Sequence, residues 1–353
     1  MKTKSLKNLF SLFVLFIFMA VNAQYKPTIY ILATGGTIAG EGSSSVTQAY
    51  TAGSITVDEL LKAVPSIKDI ANIKAEQVAN IGSQDMNDDV WLKLSKRVNE
   101  LLKQKDVDGI VITHGTDTQE ETAYFLNLTV KSNKPVVLVG SMRPSTAISA
   151  DGPRNIYNAV ACAGSPESLG KGVMVVMDDK IIGADDITKT HTLSVGTFED
   201  PNYGNLGIVY NGKPIYTRES VKRHTINSEF DITNITKLPR VEVILSYSNA
   251  KSLFVDAAVN AGVRGIVTAG VGNGNITTDL QNALANAVKK GIAVVRSSRI
   301  SMGPTAQYDE VDDDKYGFTA SWYLNPYKSR VLLMLALTKT NNYKEIQRMF
   351  TEY

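Results

Sequence analysis

Two threonines framed by glycines are the residues of this sequence most suited to chemistry. Thr37 lies in ATGGTIAG (33–40), directly after a run of apolar residues. Thr116 lies in THGTDT (113–118), after a second such run and next to the carboxylate of Asp117. A side-chain hydroxyl becomes a nucleophile when a neighbouring group accepts its proton. Two such hydroxyls facing one cleft would therefore indicate a catalytic site.

Each loop also has a simpler interpretation. Glycines after a strand are typical of nucleotide-binding loops, but the third place counted from Gly35 is Thr37, so G-x-G-x-x-G is absent, as is the Walker lysine. Thr37 could cap a turn, and Thr118 could cap the helix that follows it. Taken singly, the segments do not separate capping from catalysis. Their joint position after strands of one sheet favours a shared site.

The residues around these loops alternate between strand and helix patterns. Short runs that are apolar on both faces predict buried strands at 29–33, 109–113, 136–139 and 173–177. Apolar residues recur at helical spacing over 90–102, with Asn87 as the predicted N-cap. Thr118 and Glu121 predict a capping box for the next helix. The alternation predicts an α/β fold with a doubly wound, mostly parallel sheet and a ligand beyond the carboxyl ends of its strands.

The pattern changes over 216–238, a polar segment without a clear period that predicts a linker. A smaller C-terminal α/β domain is predicted after it, with strands at 241–245, 265–269 and 292–296 and helices over 253–261, from Asp279 to Gly291 and from about Arg330. The predicted boundaries are 24–215 for the N-terminal catalytic domain, 216–238 for the linker and 239–353 for the C-terminal domain.

The first 23 residues have the pattern of a secretory signal peptide. Lys2, Lys4 and Lys7 precede an apolar run of 12 residues (9–20), and small residues at 21 and 23 predict cleavage after Ala23. A membrane anchor is the alternative, but a bilayer span needs about 20 apolar residues. We therefore expect a periplasmic or secreted protein with no membrane attachment after cleavage.

Composition excludes several classes of protein. The formal net charge is +2, so no strongly basic surface predicts a nucleic-acid partner. Cys162 is the only cysteine, and its Ala-rich surroundings predict a core position rather than a reactive thiol. His114, His191 and His224 have no i,i+4 spacing, and no cysteine or carboxylate cluster has metal-ligand spacing. We expect neither a metal site nor an organic cofactor.

The sequence as a whole resembles the bacterial type II (periplasmic) L-asparaginases of the asparaginase/glutaminase family. The two threonine signatures of the family appear as ATGGTIAG (33–40) and ITHGTDTQEETAYFL (112–126). Further matching segments are NIGSQDMND (80–88), MRPSTAISADGPRN (142–155), DITKT (186–190), TAGVGNGN (268–275), AVVRSSR (293–299) and EVDDDKYGF (310–318).

The resemblance implies hydrolysis of L-asparagine to L-aspartate and ammonia, with minor L-glutaminase activity. It implies that Thr37 is the nucleophile, and that Tyr50, with Glu310 behind it, takes or relays the proton of Thr37. It also implies a second group, Thr116, Asp117 and Lys189, in which the charged residues polarise the threonine and a water molecule.

The resemblance also implies a set of substrate-binding residues, and the charges of asparagine are consistent with this set. Asp117 and Glu310 suit the α-ammonium group, and Ser83 and Gln84 suit the α-carboxylate, because burying either charge unpaired would be costly. Thr116 and Asn275 complete the implied set of binding residues. In the family, Asn275 and Glu310 would come from a neighbouring subunit, which implies a homotetramer with shared sites.

Three other functions remain to be weighed. A dual glutaminase-asparaginase would act on both amides at comparable rates, since one methylene changes discrimination by only ~1–3 kcal/mol. A periplasmic amino-acid-binding protein would also have two α/β domains and a leader, but would release no ammonia. A tRNA-dependent amidotransferase subunit fits poorly with export.

Overall fold

The computed structural model describes residues 25–36, 38, 41–42, 50–51 and 62–353. The predicted signal peptide and Thr37 lie outside these residues. Within them, no helix is both long and apolar enough to cross a membrane.

The N-terminal part of the chain is built around one large sheet. The strands in this part of the chain are β1 (Thr28–Gly35), β2 (Glu41–Gly42), β3 (Tyr50–Thr51), β4 (Asn72–Ile81), β5 (Gly109–Thr113), β6 (Val136–Val139), β7 (Val173–Met177), β8 (Lys180–Gly183), β9 (Thr188–Lys189), β10 (Phe198–Glu199), β11 (Gly207–Tyr210) and β12 (Lys213–Tyr216). Over the described residues, eight of these form a sheet in the order β12-β11-β8-β7-β6-β5-β1-β4, while β2 pairs with β3 and β9 with β10.

The strands that precede the two threonine loops are neighbours in this sheet. β1 pairs in parallel with both β4 and β5, so that Ile31 lies opposite Ala75 and Val111. β6 and β7 continue the parallel order, whereas the pairings of β7 with β8, β8 with β11 and β11 with β12 are antiparallel. The carboxyl ends of β4, β1, β5 and β6 therefore meet at one edge of the sheet, as predicted for a ligand site.

Helices cover both faces of this sheet: α1 (Ile67–Ile70), α2 (Asp88–Leu102), α3 (Gln119–Thr129) and α4 (Gly152–Ala163). The predicted N-cap of α2 is confirmed, because Asn87 Oδ1 accepts the Val90 N–H at 3.1 Å. Cys162 is buried in the core between α4 and the sheet, as expected, and burial raises the pKa of its thiol to about 12.

The predicted capping box at the start of α3 is wrong, although the helix itself is present. Thr118 occupies the N-cap position, yet its side chain makes no capping bond. Its hydroxyl donates instead to the carbonyl oxygen of Ser83 at 2.6 Å. A long-range hydrogen bond to the loop after β4 therefore replaces the local one that spacing predicted.

The C-terminal part of the chain is a smaller α/β unit. Its elements are β13 (Val241–Leu245), α5 (Leu253–Asn260), β14 (Gly265–Gly270), α6 (Thr278–Lys289), β15 (Ala293–Ser298), α7 (Asp313–Tyr316), β16 (Phe318–Ala320), α8 (Pro326–Ala336) and α9 (Tyr343–Glu352). After residue 62, where the description is continuous, its four strands are all parallel, in the order β13-β14-β15-β16. The predicted fold class is confirmed.

The predicted C-terminal helix begins earlier than expected. α8 starts at Pro326, not near Arg330, because Asn325 Oδ1 caps it by accepting the Lys328 N–H at 2.9 Å. The apolar face of α8 packs against α3, and the two helices share a buried cluster that includes Phe125, Leu128, Leu332 and Leu335. The C-terminal unit is thus packed directly on the helix that follows the Thr116 loop.

Candidate active site

The loops after β1 and β5 touch through their glycines. Gly36 has a φ of +86°, and a Cβ atom at this position would overlap the backbone of Gly115. Only glycine adopts this conformation without strain while permitting such close approach. Gly36 directly precedes Thr37, which lies outside the described residues, and Gly115 directly precedes Thr116. The contact therefore joins the two threonine segments.

Lys189 links the hydroxyl and the carboxylate of the second loop. Its Nζ lies 2.9 Å from Thr116 Oγ1 and 2.7 Å from Asp117 Oδ1. Thr116 is buried, whereas the Asp117 side chain is 59% exposed. An ion pair with such an exposed partner adds little to stability. Its effect is to fix an ammonium group against a buried hydroxyl, where it can polarise the oxygen and stabilise negative charge.

Ser83 anchors the same loop from the end of β4, the strand on the other side of β1. It lies just after β4, and its Oγ accepts the Asp117 N–H at 3.1 Å while its carbonyl accepts the Thr118 hydroxyl. Ser83 is buried, and the next residue, Gln84, is exposed to solvent. Ser83, one of the two predicted carboxylate-binding residues, therefore lies beside Asp117.

Lys189 is itself held by a buried carboxylate that the sequence analysis did not identify. Glu120 Oε2 accepts the backbone N–H of Lys189 at 2.9 Å, and its Oε1 accepts Asn325 Nδ2 at 3.2 Å. Burial raises the pKa of Glu120, and the Lys328 ammonium opposes that shift. Glu120 stands within the second threonine signature, but its spacing alone gives no sign of a partner so far along the chain.

His114 lies beneath the Thr116 loop and is fully buried. Desolvation lowers the pKa of its imidazole to about 4, so the ring is neutral at physiological pH. Its Nδ1 is hydrogen-bonded to the Gly115 carbonyl at 2.6 Å, which makes Nδ1 the protonated nitrogen. A neutral, inward-facing histidine supports the loop rather than exchanging protons with a substrate.

Asn275 and Glu310 form a second group in the C-terminal unit. Asn275 Nδ2 donates to Glu310 Oε2, and Glu310 is exposed. The loops that carry them are fixed by Arg296, which makes a buried bidentate ion pair with Asp313 at 2.6 and 2.7 Å and donates to the Asn273 carbonyl. Among the described residues, no hydrogen bond or ion pair joins this group to Thr116, Asp117 or Lys189.

Tyr50 is described only by its backbone. It pairs with Gly42 in the antiparallel β2–β3 pairing, which follows the Thr37 segment in the chain. The structure thus brings together Ser83, Thr116, Asp117 and Lys189, and it pairs Asn275 with Glu310. The roles of all these residues, like those of Thr37 and Tyr50, remain predictions.

The described arrangement is that of a hydrolytic α/β enzyme: a buried threonine hydroxyl beside an ammonium group and a carboxylate, at the carboxyl edge of a parallel sheet. Comparison with known proteins narrows this class. Residues 28–222 match the family described as "Asparaginase, N-terminal", and residues 240–350 match the "Glutaminase/Asparaginase C-terminal domain". The chain belongs to the asparaginase family, so the resemblance noted from its motifs is confirmed.

Individual relatives cover nearly the whole chain. A Haemophilus influenzae protein named "Probable L-asparaginase periplasmic" is 56% identical over 332 residues, covering 94% of this chain and 95% of its own. The "L-asparaginase 2" of Escherichia coli is 55% identical over 327 residues, covering 93% of each chain. A solved structure, that of "Probable Cytoplasmic L-asparaginase from Campylobacter jejuni", matches with a TM-score of 0.91 at 51% identity, covering 93% of this chain and all of its own.

Proposed function

We propose that this protein hydrolyses L-asparagine to L-aspartate and ammonia through a threonine acyl-enzyme. The observation that carries the proposal is the contact of Lys189 Nζ with both Thr116 Oγ1 and Asp117 Oδ1. It lies beside the junction of Gly36 and Gly115, and Thr37 follows Gly36 in the chain. Membership in the asparaginase family, with relatives that are named L-asparaginases, supports the same reaction.

In the proposed mechanism, the Thr37 hydroxyl attacks the side-chain amide carbon of asparagine. Tyr50, backed by Glu310, accepts the proton of Thr37 and passes it on to the amide nitrogen. Collapse of the tetrahedral intermediate then breaks the C–N bond, and the nitrogen leaves as ammonia carrying that proton. The resulting ester is hydrolysed by water, which releases aspartate and restores the threonine. Thr116, polarised by Lys189, orients the water molecule.

The tetrahedral intermediate carries negative charge on the former carbonyl oxygen. We assign the Thr116 N–H as the donor that stabilises it, since one such donor is commonly worth ~3 kcal/mol. The buried position of Thr116 strengthens this interaction because little water competes for the oxyanion. No metal or organic cofactor takes part in the proposed steps.

Substrate recognition in this proposal depends on pairing both charges of the amino acid. Asp117 and Glu310 bind the α-ammonium group, Ser83 and Gln84 bind the α-carboxylate, and Asn275 supports Glu310. The hydrogen bond between Ser83 Oγ and the Asp117 N–H supports this scheme, because the two residues that would bind opposite charges of the substrate are in contact.

Glutamine is the alternative substrate, and the family description names both enzymes, glutaminase and asparaginase. Glutamine has one more methylene than asparagine, which a site of this kind discriminates by only ~1–3 kcal/mol. We therefore propose minor glutaminase activity. Equal kcat/KM values for the two amides would replace this proposal with a dual glutaminase-asparaginase.

We further propose that the active enzyme is a homotetramer in which Asn275 and Glu310 complete the site of a neighbouring subunit. Two observations support this. Glu310 is exposed and is not bonded to the Thr116 group within the described residues. Exposed apolar side chains also line one surface of the C-terminal unit, which is typical of an interface; they are Leu245, Tyr247, Leu253 and Phe254.

Export to the periplasm is also a proposal. It rests on the leader pattern of residues 1–23 and on the word "periplasmic" in the name of the Haemophilus influenzae relative. The Campylobacter jejuni protein is named as cytoplasmic, so family membership alone does not assign the compartment. N-terminal sequencing of the protein recovered from a periplasmic extract tests the proposal, with Gln24 expected as the first residue.

The decisive test of the proposed reaction is ammonia release from L-asparagine by wild type and three variants. We expect Thr37→Ala to lose about 10⁴-fold or more of kcat. Thr116→Val should lose about 10²-fold or more, because the hydroxyl held by Lys189 is removed. The matched control is Thr268→Val in β14, a buried threonine whose Oγ1 has no partner among the described residues. Full activity of either active-site variant would refute the role assigned to that threonine.

A further inference from the structure

Lys189 belongs to a very short strand, although the proposed reaction depends on where its ammonium group lies. β9 has two residues, and its ladder partner β10 also has two, with Lys189 opposite Phe198. A lysine side chain has many rotamers, so the position of its ammonium group depends on how firmly its backbone is held. Functional groups need to be fixed within about 0.5 Å of the productive geometry. The ladder alone gives little such constraint.

Two buried charged side chains supply the missing constraint on the segment 185–189. Glu120 of α3 accepts the Lys189 N–H at 2.9 Å. Lys328 of α8 donates from Nζ to the carbonyl oxygens of Asp185 at 3.0 Å and Ile187 at 2.9 Å. Glu120 and Lys328 are 6% and 1% exposed, so neither is a surface contact.

Asn325 connects these two residues. Its Nδ2 donates to Glu120 Oε1, and its Oδ1 accepts the Lys328 N–H at the start of α8. The chain of contacts thus runs from the Lys189 backbone through Glu120 and Asn325 to Lys328, and returns to the same segment at Ile187. Every donor and acceptor named here has a partner, as buried polar networks require.

We propose that Glu120, Asn325 and Lys328 are positioning residues for Lys189, so that the C-terminal unit contributes to the active site of its own chain through α8. The inference rests on the proposed function, in which Lys189 acts on Thr116. It is independent of the cross-subunit role proposed for Asn275 and Glu310. It also assigns a function to the packing of α8 on α3 beyond stability.

The test exchanges the two functional groups of Glu120 and Asn325 so that the charge of the pair is preserved. In Glu120→Gln, the introduced amide has a single oxygen with which to accept both the Lys189 N–H and Asn325 Nδ2. Two donors therefore face each other, and one hydrogen bond is lost in every orientation of the two amides. In Asn325→Asp, two carboxylates face each other. In the double variant Glu120→Gln/Asn325→Asp, the introduced amide can accept from the Lys189 N–H and donate to the introduced carboxylate. That carboxylate can still cap α8.

We expect each single variant to lower kcat about 10-fold or more with KM changed little, because the ground-state contacts to substrate remain while Lys189 shifts. The double variant should recover kcat to within a few-fold of wild type. A purely structural role predicts a different result: Tm falls in the single variants, but kcat measured below Tm stays at the wild-type value.

A milder variant and a control keep the inference falsifiable if Glu120→Gln does not fold. Asn325→Ser keeps a good helix N-cap but cannot reach Glu120, and it should lower kcat about 5-fold, the effect of one net hydrogen bond. The control is Glu229→Gln, which weakens ion pairs with Arg348 and Lys339 away from the site and should leave kcat unchanged.

The outcomes separate this inference from the proposed function. Inactive wild type would refute the asparaginase reaction itself, and an active Lys189→Met variant would refute the role of Lys189. If both stand, a folded Glu120→Gln or Asn325→Ser enzyme with wild-type kcat overturns the inference. A double variant no more active than Glu120→Gln would overturn it as well.

Discussion

Asp200 has a carboxyl group that folding removes completely from water. Its Oδ2 accepts the Gly183 N–H at 3.2 Å, and its Oδ1 has no partner among the described residues. Burial raises its pKa to about 8, even though Arg218 Nη2 lies 3.6 Å from Oδ2. The carboxyl is therefore mostly protonated in the folded protein at neutral pH. It must lose its proton on unfolding, because the ordinary aspartate value is 3.8.

This difference in proton binding predicts how stability depends on pH. The contribution of Asp200 is fully present below about pH 4 and is lost as pH rises towards 8, since the folded state binds the extra proton over that range. Asp200→Asn removes the dependence and keeps an acceptor for Gly183. We expect the variant to gain stability relative to wild type between pH 4 and 8, with no further gain above that. Urea unfolding of both proteins across this pH range measures the difference between their free energies of unfolding. A difference that does not change with pH would contradict the raised pKa of Asp200.

At the scale of single residues, the sequence predicted part of the candidate site. Glycine-framed threonines after strands, and the family motifs, indicated Ser83, Thr116, Asp117 and Lys189, and the structure places these residues in contact. Glu120 could not be found in this way, because its partner is a backbone N–H 69 residues away. The capping box failed for the same reason: the Thr118 hydroxyl bonds to Ser83, far outside its own helix.

Among the elements, the loops after β1 and β5 depend on each other's shape. Gly36→Ala would place a methyl group against the Gly115 backbone, in addition to the strain of a positive φ. We expect the loops to separate and kcat to fall about 10²-fold, as a displacement of ~1 Å at the reacting groups can produce. Ammonia release at saturating asparagine measures the effect.

Gly204→Ala is the matched control for this prediction. Gly204 has a φ of +78°, but no described atom lies within 4 Å of the added Cβ. The control therefore has the same backbone strain without the collision. If both variants retain full activity, or if both lose it equally, then activity does not depend on the close approach of the two loops at Gly36.

Burial explains which elements the sequence could predict. β5, β6 and β7 are buried along their whole length, so their apolar runs are unmistakable. β4 was not predicted, because it is an edge strand and most of its residues, including Lys74 and Glu76, are not fully buried. The start of α8 was misplaced because its signal is the dipeptide Asn325-Pro326, which is also typical of a turn.

For the whole molecule, the central question is whether one chain makes a complete site. Lys189→Met and Glu310→Gln should each be inactive as homogeneous enzymes. If the site combines Lys189 of one subunit with Glu310 of another, a hybrid of the two variants contains one intact site. Dissociating and reassociating an equimolar mixture should then restore about a quarter of wild-type activity. Half of the subunit pairs are then hybrids, and each hybrid pair has one of its two sites intact.

The control for this experiment mixes Lys189→Met with Thr116→Val. These two residues are in contact within one chain, so no hybrid can contain an intact site if both belong to the same half of it. Every subunit in this mixture carries one of the two changes. No subunit can therefore combine an intact Thr116 and Lys189 with its partner's Glu310. Recovery of activity in this mixture, or none in the first, would contradict the shared site. Size-exclusion chromatography with light scattering gives the oligomeric state of each preparation, and an active monomer would contradict it equally.

The two-domain α/β architecture was predictable because its parallel strands and intervening helices have strong and different apolar periods. The domain boundaries at 215 and 239 remain predictions. The linker between them is less detached than its polar sequence indicated, since Phe230, Ile232 and Leu238 are buried in the cluster shared by α3 and α8. Three apolar residues spaced along a polar segment give no periodic signal, which is why this packing was not anticipated.

The single thiol of this chain allows local opening of the fold to be measured. Cys162 is buried against the sheet that carries the β1 and β5 loops, and its raised pKa keeps the sulfur in the unreactive neutral form. An alkylating reagent can modify it only when α4 lifts from the sheet and the thiol regains an ordinary acidity. The labelling rate of the unmodified protein therefore reports the opening of this packing between α4 and the sheet, with no engineered probe and no second cysteine in the sequence.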